Sequence, residues 1–189
     1  AWITYHEAAG SSLVRVPAFK PVLGVMGKAA GGMWYFGRLH NMRFVDPAKN
    51  AWSTYPGINL FADFDLGLCA AHDGTRLLYV ATGAGRNFVA VDQTAETSAK
   101  KKDLPIDARW GAAMAGLGGK IHLLAGGDTR EHFVYDPTID SWSDAPDLPA
   151  EAPALGSSGG ALLVHKDQLI AICAKEVWTL AGVSWKKLA

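Results

Sequence analysis

The sequence has little cysteine, no excess of either charge and no long apolar run. Only Cys69 and Cys173 are present in 189 residues. Two thiols make no disulfide framework. Both sit in apolar, strand-like runs, LGLCAA and LIAICA, so they are expected as buried free thiols. Lys and Arg number 18 against 18 Asp and Glu. With no basic excess, neither nucleic acid nor an anionic membrane surface is expected as a main partner. No apolar run approaches the ~20 residues of a spanning helix. No charged segment followed by an apolar one opens the chain, and no N-x-[ST] sequon occurs. Together with the unpaired thiols this points to a reducing, cytoplasmic setting. The chain opens on Ala1 rather than Met, which leaves room for an upstream segment. No stretch carries a sustained helical period with caps, so essentially no helix is expected.

Chemical motifs are also scarce. GSSGG (Gly156–Gly160) matches G-x-S-x-G around Ser158, but a Pro-rich loop precedes it and ALLVH follows, where a nucleophile elbow needs a strand and then a helix. GLGGK lacks the frame of a phosphate-binding loop, and GAG (Gly83–Gly85) has no βαβ unit around it. The six histidines show no metal-binding spacing. Asp63 and Asp65 read as loop caps rather than an acid–base pair. No catalytic residue, metal site or cofactor is expected.

What is present repeats. VYDPTIDSW (Val134–Trp142) alternates into a strand, turns at Asp136-Pro137 and opens a second strand at Trp142. VDPAKNAW (Val45–Trp52) has the seven-residue step that separates Tyr135 from Trp142, and VDQTAETS (Val91–Ser98) keeps the step without the Trp. Asp46, Asp92 and Asp136 are 46 and 44 residues apart, and Trp142 and Trp185 are 43 apart. A period near 45 in an all-strand pattern predicts an all-β repeat architecture, a propeller. Each unit divides into four strands, and the third reads GAAMAGLGG, KIHLLAGG, EHFVYDP and SWSDAPDLP. The expected division is a half blade over 1–18 and four full blades over 19–60, 61–108, 109–152 and 153–189. The two ends do not add up to one blade, so a larger ring, self-association or a partner that completes the ring is expected.

The third unit resembles the kelch repeat through Gly126-Gly127, then Tyr135-Asp136-Pro137, then Trp142, with Asp107–Gly127 similar to the opening of a kelch blade. The other units are degenerate: Gly37-Arg38 and Thr82-Gly83 replace the glycine pair. The resemblance covers about residues 20–189 and implies a kelch-type β-propeller. It also implies a non-enzymatic scaffold or interaction module that binds a protein or peptide through one loop face. Kelch-like enzymes acting on a sugar or small metabolite in the central funnel, and carbohydrate-binding lectins, are the alternatives.

One register singles out candidate binding residues. Six positions before the turn aspartate, or its equivalent Ala181, stand His40, Arg86, Arg130 and Lys175, and five before it stand Asn41, Asn87, Glu131 and Glu176. Ring symmetry would gather these after the second strands as one polar rim, suited to an acidic partner.

Overall fold

The computed structural model describes residues 67–188 except 76, 84, 93 and 157–159, together with the backbone of residues 2–5, 14–17, 24–29, 32–37, 41–46 and 51–54. Strands β1 (Trp2–Tyr5) and β2 (Val14–Pro17) pair as a two-stranded antiparallel sheet. Four antiparallel sheets of four strands follow, each a meander in chain order. The first holds β3 (Gly24–Ala29), β4 (Gly32–Gly37), β5 (Asn41–Asp46) and β6 (Ala51–Thr54). The second holds β7 (Cys69–His72), β8 (Leu77–Ala81), β9 (Phe88–Asp92) and β10 (Thr97–Lys100). The third holds β11 (Ala113–Leu117), β12 (Lys120–Leu124), β13 (His132–Asp136) and β14 (Ser141–Asp144). The fourth holds β15 (Gly160–His165), β16 (Gln168–Cys173), β17 (Glu176–Ala181) and β18 (Ser184–Lys187). The protein is all-β, with no helix among the described residues.

The sheets lie face to face, and their first strands adjoin in series: β3 by β7, β7 by β11, β11 by β15. This explains the burial pattern. Every residue of β9 is buried, so FVAVD reads as a continuous run, whereas β10 faces solvent and reads polar. One face of the third sheet packs on the second through Ile121, Leu123 and Tyr135, which meet Tyr79 and Phe88. Its other face packs on the fourth through Ala113, Ala115 and Leu124, which meet Leu162, Trp178 and Trp185. Cys69 and Cys173 are free thiols buried in these two contacts, as expected. Burial pushes their pKa values up to about 12 and about 11, so both stay protonated. Nearby Glu176 adds to the rise at Cys173.

Two glycines allow the close approach. Gly116 on β11 faces β7, where a Cβ would lie 1.8 Å from the His72 carbonyl oxygen. Gly126 has φ +73°, and its Cβ would sit 2.4 Å from the Ala112 nitrogen. The Gly-Gly pair therefore serves the turn out of β12, as its place in the repeat predicts.

The repeating hairpin is locked in two ways. Asp136 Oδ1 accepts hydrogen bonds from the Thr138 backbone N–H (2.9 Å) and hydroxyl (2.6 Å), closing the local turn. Asp92 does the same for the backbone of Thr94 and Ala95. Tyr135 and Trp142 face each other across β13 and β14, and from there the contacts reach the preceding sheet. Trp142 Nε1 donates to the Lys102 carbonyl at 3.1 Å, and Trp185 Nε1 donates to the Pro146 carbonyl at 2.8 Å. Each acceptor stands one residue beyond a closing bond of its own sheet, Lys101 N to Phe88 O and Ala145 N to His132 O. The tryptophans thus recur because each ties its outer strand to the exit of the sheet before it.

Candidate functional site

The loops after β8 and β12 are built alike. The Arg86 carbonyl accepts from Leu104 N at 2.9 Å, and the Arg130 carbonyl accepts from Leu148 N at 3.0 Å. The buried leucines of the two Asp-Leu-Pro segments hold the arginine backbones in equivalent places. The side chains then part. Arg86 is 56% exposed, and its Nε lies 3.7 Å from Asp107 Oδ1, itself 47% exposed. A pair so open to water adds little stability, which leaves the guanidinium able to exchange partners. Arg130 instead donates from Nε to the Ala152 carbonyl at 2.8 Å, tying the third sheet to the chain that leads into the fourth.

Two clefts border Arg86 at the seam of the second and third sheets. The smaller, of about 250 Å³, is lined by Arg86, Asp107, Arg109, Thr129 and Glu131 among others. The larger, of about 400 Å³, runs between Lys102–Pro105 and the outer strand β14, with Trp142 in its wall. Beside Arg109, the indole of Trp110 is 53% exposed. The small cleft brings together two guanidinium and two carboxylate groups in partly open surroundings. Such a set can hold a carboxylate or a polar peptide segment by charge-assisted hydrogen bonds.

Of the residues sharing the predicted register, Arg86 and Glu131 thus line one cleft. Asn87 turns inward, its Nδ2 donating to Thr82 Oγ1 at 3.4 Å across the base of its loop. Lys175 is exposed on a two-residue turn between β16 and β17. Glu176 opens β17 and accepts from Trp178 Nε1 at 3.1 Å and from Lys187 Nζ, so it is held on its own sheet. Those bonds lower its pKa, Lys187 foremost. His40 lies outside the described residues, as do Asp63, Asp65 and Ser158; of Asn41 only the backbone, at the start of β5, is described. Among the described residues, the fourth sheet has a tight turn where the second and third have longer loops, so Lys175 and Glu176 stand in a different setting from Arg86 and Glu131.

The register of β12 and β13 brings together a pair that residue spacing did not reveal. His122 Nδ1 lies 3.0 Å from His132 Nε2, and His132 Nδ1 lies 3.1 Å from the Pro146 carbonyl. A carbonyl only accepts, so His132 carries its proton on Nδ1 and takes a hydrogen bond at Nε2 from His122. Trp185 meets the His132 ring edge-on at 5.6 Å. Burial lowers the pKa of both, that of His122 to about 4 with help from His132 and Lys120. Both are neutral at pH 7, and the pair belongs to the contact between the third and fourth sheets. Among the described residues, no three His, Cys, Asp or Glu side chains gather as a metal would require.

No protein-family model matches the chain, and no curated protein matches it. The resemblance to kelch repeats rests on the residues quoted from the third unit.

Asp107, Arg109, Trp110 and Thr129 were not among the sequence candidates. Arg109-Trp110, an exposed cation–aromatic step just before a strand, was the signal available for two of them.

Proposed function

We propose that the chain is a kelch-type β-propeller module that binds an acidic protein or peptide segment at the seam of its second and third sheets. Consecutive meanders with adjoining first strands support the propeller reading, since blades around an axis meet in that way. The observation that carries the binding reading is Arg86. It is half exposed, weakly paired and placed between two clefts, while its counterpart Arg130 is committed to a backbone carbonyl. A carboxylate on the partner would take the guanidinium in bidentate geometry in place of Asp107. Exposed Trp110, the chain neighbour of cleft-lining Arg109, supplies an apolar anchor.

Selection from a displayed random-peptide library tests this reading. Recovered peptides should be rich in Asp and Glu. Arg86→Ala should weaken their binding about 10-fold or more, and Arg86→Lys should not restore it. Stability should change by no more than about 0.5 kcal/mol. Recovery of peptides with no acidic preference, or equal binding by Arg86→Ala, would overturn the proposal.

A further inference from the structure

The larger cleft, of about 400 Å³, lies against a strand edge. β14 is the outer strand of the third sheet, so one of its edges has no neighbouring strand. Ala145 N donates to His132 O, and this fixes the ladder. Stepping by two along the register, Val134 with Ser143 and Asp136 with Ser141 exchange the bonds between β13 and β14. The N–H and C=O groups of Trp142 and Asp144 therefore point away from the sheet. Among the described residues they take no backbone partner, and the Trp142 carbonyl receives a contact of 3.5 Å from Ser141 Oγ. Ser141 and Ser143 stand on one face of β14, and Trp142 and Asp144 on the other. All four line the cleft, so it runs along the backbone edge between the two faces. Its opposite wall is the exit of the second sheet, tied down at two points. The Lys102 carbonyl accepts from Trp142 Nε1 at 3.1 Å, and Leu104 N donates to the Arg86 carbonyl at 2.9 Å. Arg86 thus belongs to the same groove. The outer strands of the two neighbouring sheets are guarded by lysines, which discourage edge pairing. β10 ends on Lys100, with Lys101 and Lys102 after it, and β18 ends on Lys186 and Lys187. β14, SWSD, carries none.

We propose that an acidic peptide segment binds here by strand addition, pairing in extended form with the β14 edge and delivering a carboxylate to Arg86. This rests on the acidic-segment reading given above and adds the main chain to it. Trp142 and Asp144 together offer two N–H donors and two C=O acceptors. Bonds to them would hold any extended backbone, and the Arg86 contact would select for acid. Charge in the walls fits such an occupant. Arg86 and Lys102 attract it, and Asp103 is already held by Lys100 at 3.2 Å. Asp144 alone opposes it among the charged residues of this cleft.

The probe is the acidic peptide recovered most often by display selection, and its affinity for the full chain is measured by calorimetry. Methylating the peptide's amide nitrogens one at a time should weaken binding about 10-fold at every second residue, where the N–H faces β14, and spare the residues between. On the protein, Asp144→Pro removes an N–H that points away from β13, a place where an edge strand tolerates proline. It should bind the peptide about 10-fold more weakly than Asp144→Ala, which keeps that N–H. The methylation series uses wild-type protein, so it decides the matter if Asp144→Pro does not fold. Losses without a two-residue alternation, or none at all, would overturn strand addition. Equal binding by Asp144→Pro and Asp144→Ala would do the same. In either case a loss in Arg86→Ala leaves the acidic-segment reading standing. Undiminished binding by Arg86→Ala, or a selection that recovers no acidic peptide, sinks that reading and this inference together.

Discussion

The contact between the second and third sheets and that between the third and fourth have the same geometry but different contents. The first is aromatic. Phe88 meets Tyr79, Tyr135 and Trp142 at ring separations of 5.7, 4.9 and 5.0 Å, and Tyr135 donates to Asp140 Oδ1 at 2.6 Å. The second is mainly aliphatic, with a neutral histidine pair set into it. Both keep one indole bonded to a carbonyl of the preceding sheet. What recurs is the fastening. The filling is free to vary as long as its polar atoms find partners.

The largest expected difference comes from emptying the aromatic contact. Phe88→Ala removes the ring that joins Tyr79 of its own sheet to Tyr135 and Trp142 across the seam, and should cost about 3–5 kcal/mol in chemical denaturation. A loss below about 1 kcal/mol would mean that the two sheets meet elsewhere.

Acid should then separate the two contacts. His122 and His132 have pKa values below the ordinary 6.5 in the folded chain, so the unfolded chain binds more protons as the pH falls. Stability should be full above pH 6.5 and should decline from there toward about 4, where His122 itself takes a proton. Asp140 behaves differently. The Tyr135 hydroxyl and then the Lys102 N–H hold its pKa below the ordinary 3.8, so its contribution is lost only at lower pH. Melting temperatures between pH 7 and pH 4.5 should fall in wild type and fall less in His122→Phe. Equal slopes in the two proteins would count against the histidine pair.

The smallest effect should come from the shared fastening. Trp185→Phe keeps a ring but loses the bond to Pro146, at a cost of about 1 kcal/mol. Trp142→Phe should lose a similar amount through Lys102. A large disparity between the two would show that the indole bond is not an equivalent device in both contacts.

These contrasts also mark what was legible in the sequence. The strands, the Asp136-Pro137 turn and the tryptophan step depend on near neighbours or on a period, and both can be read along a line. The histidine pair depends on how far the loop between β12 and β13 offsets the two strands, which places residues ten apart on one face. Arg86 and Arg130 hold the same position in their repeats. Their different roles depend on Asp107 standing near one and the Ala152 carbonyl near the other. Those partners come from the next segment of chain, at separations that no local pattern specifies.

The indole bonds also have a direction. Trp142 reaches back 40 residues and Trp185 reaches back 39, each to a carbonyl synthesised earlier than itself. When the chain leaves the ribosome, the acceptor for each tryptophan is already in place and the template sheet has already emerged. The molecule can therefore grow as a ratchet, one meander at a time from its amino end. The third and fourth sheets are each latched to the sheet before, and neither bond has to wait for chain that follows its tryptophan.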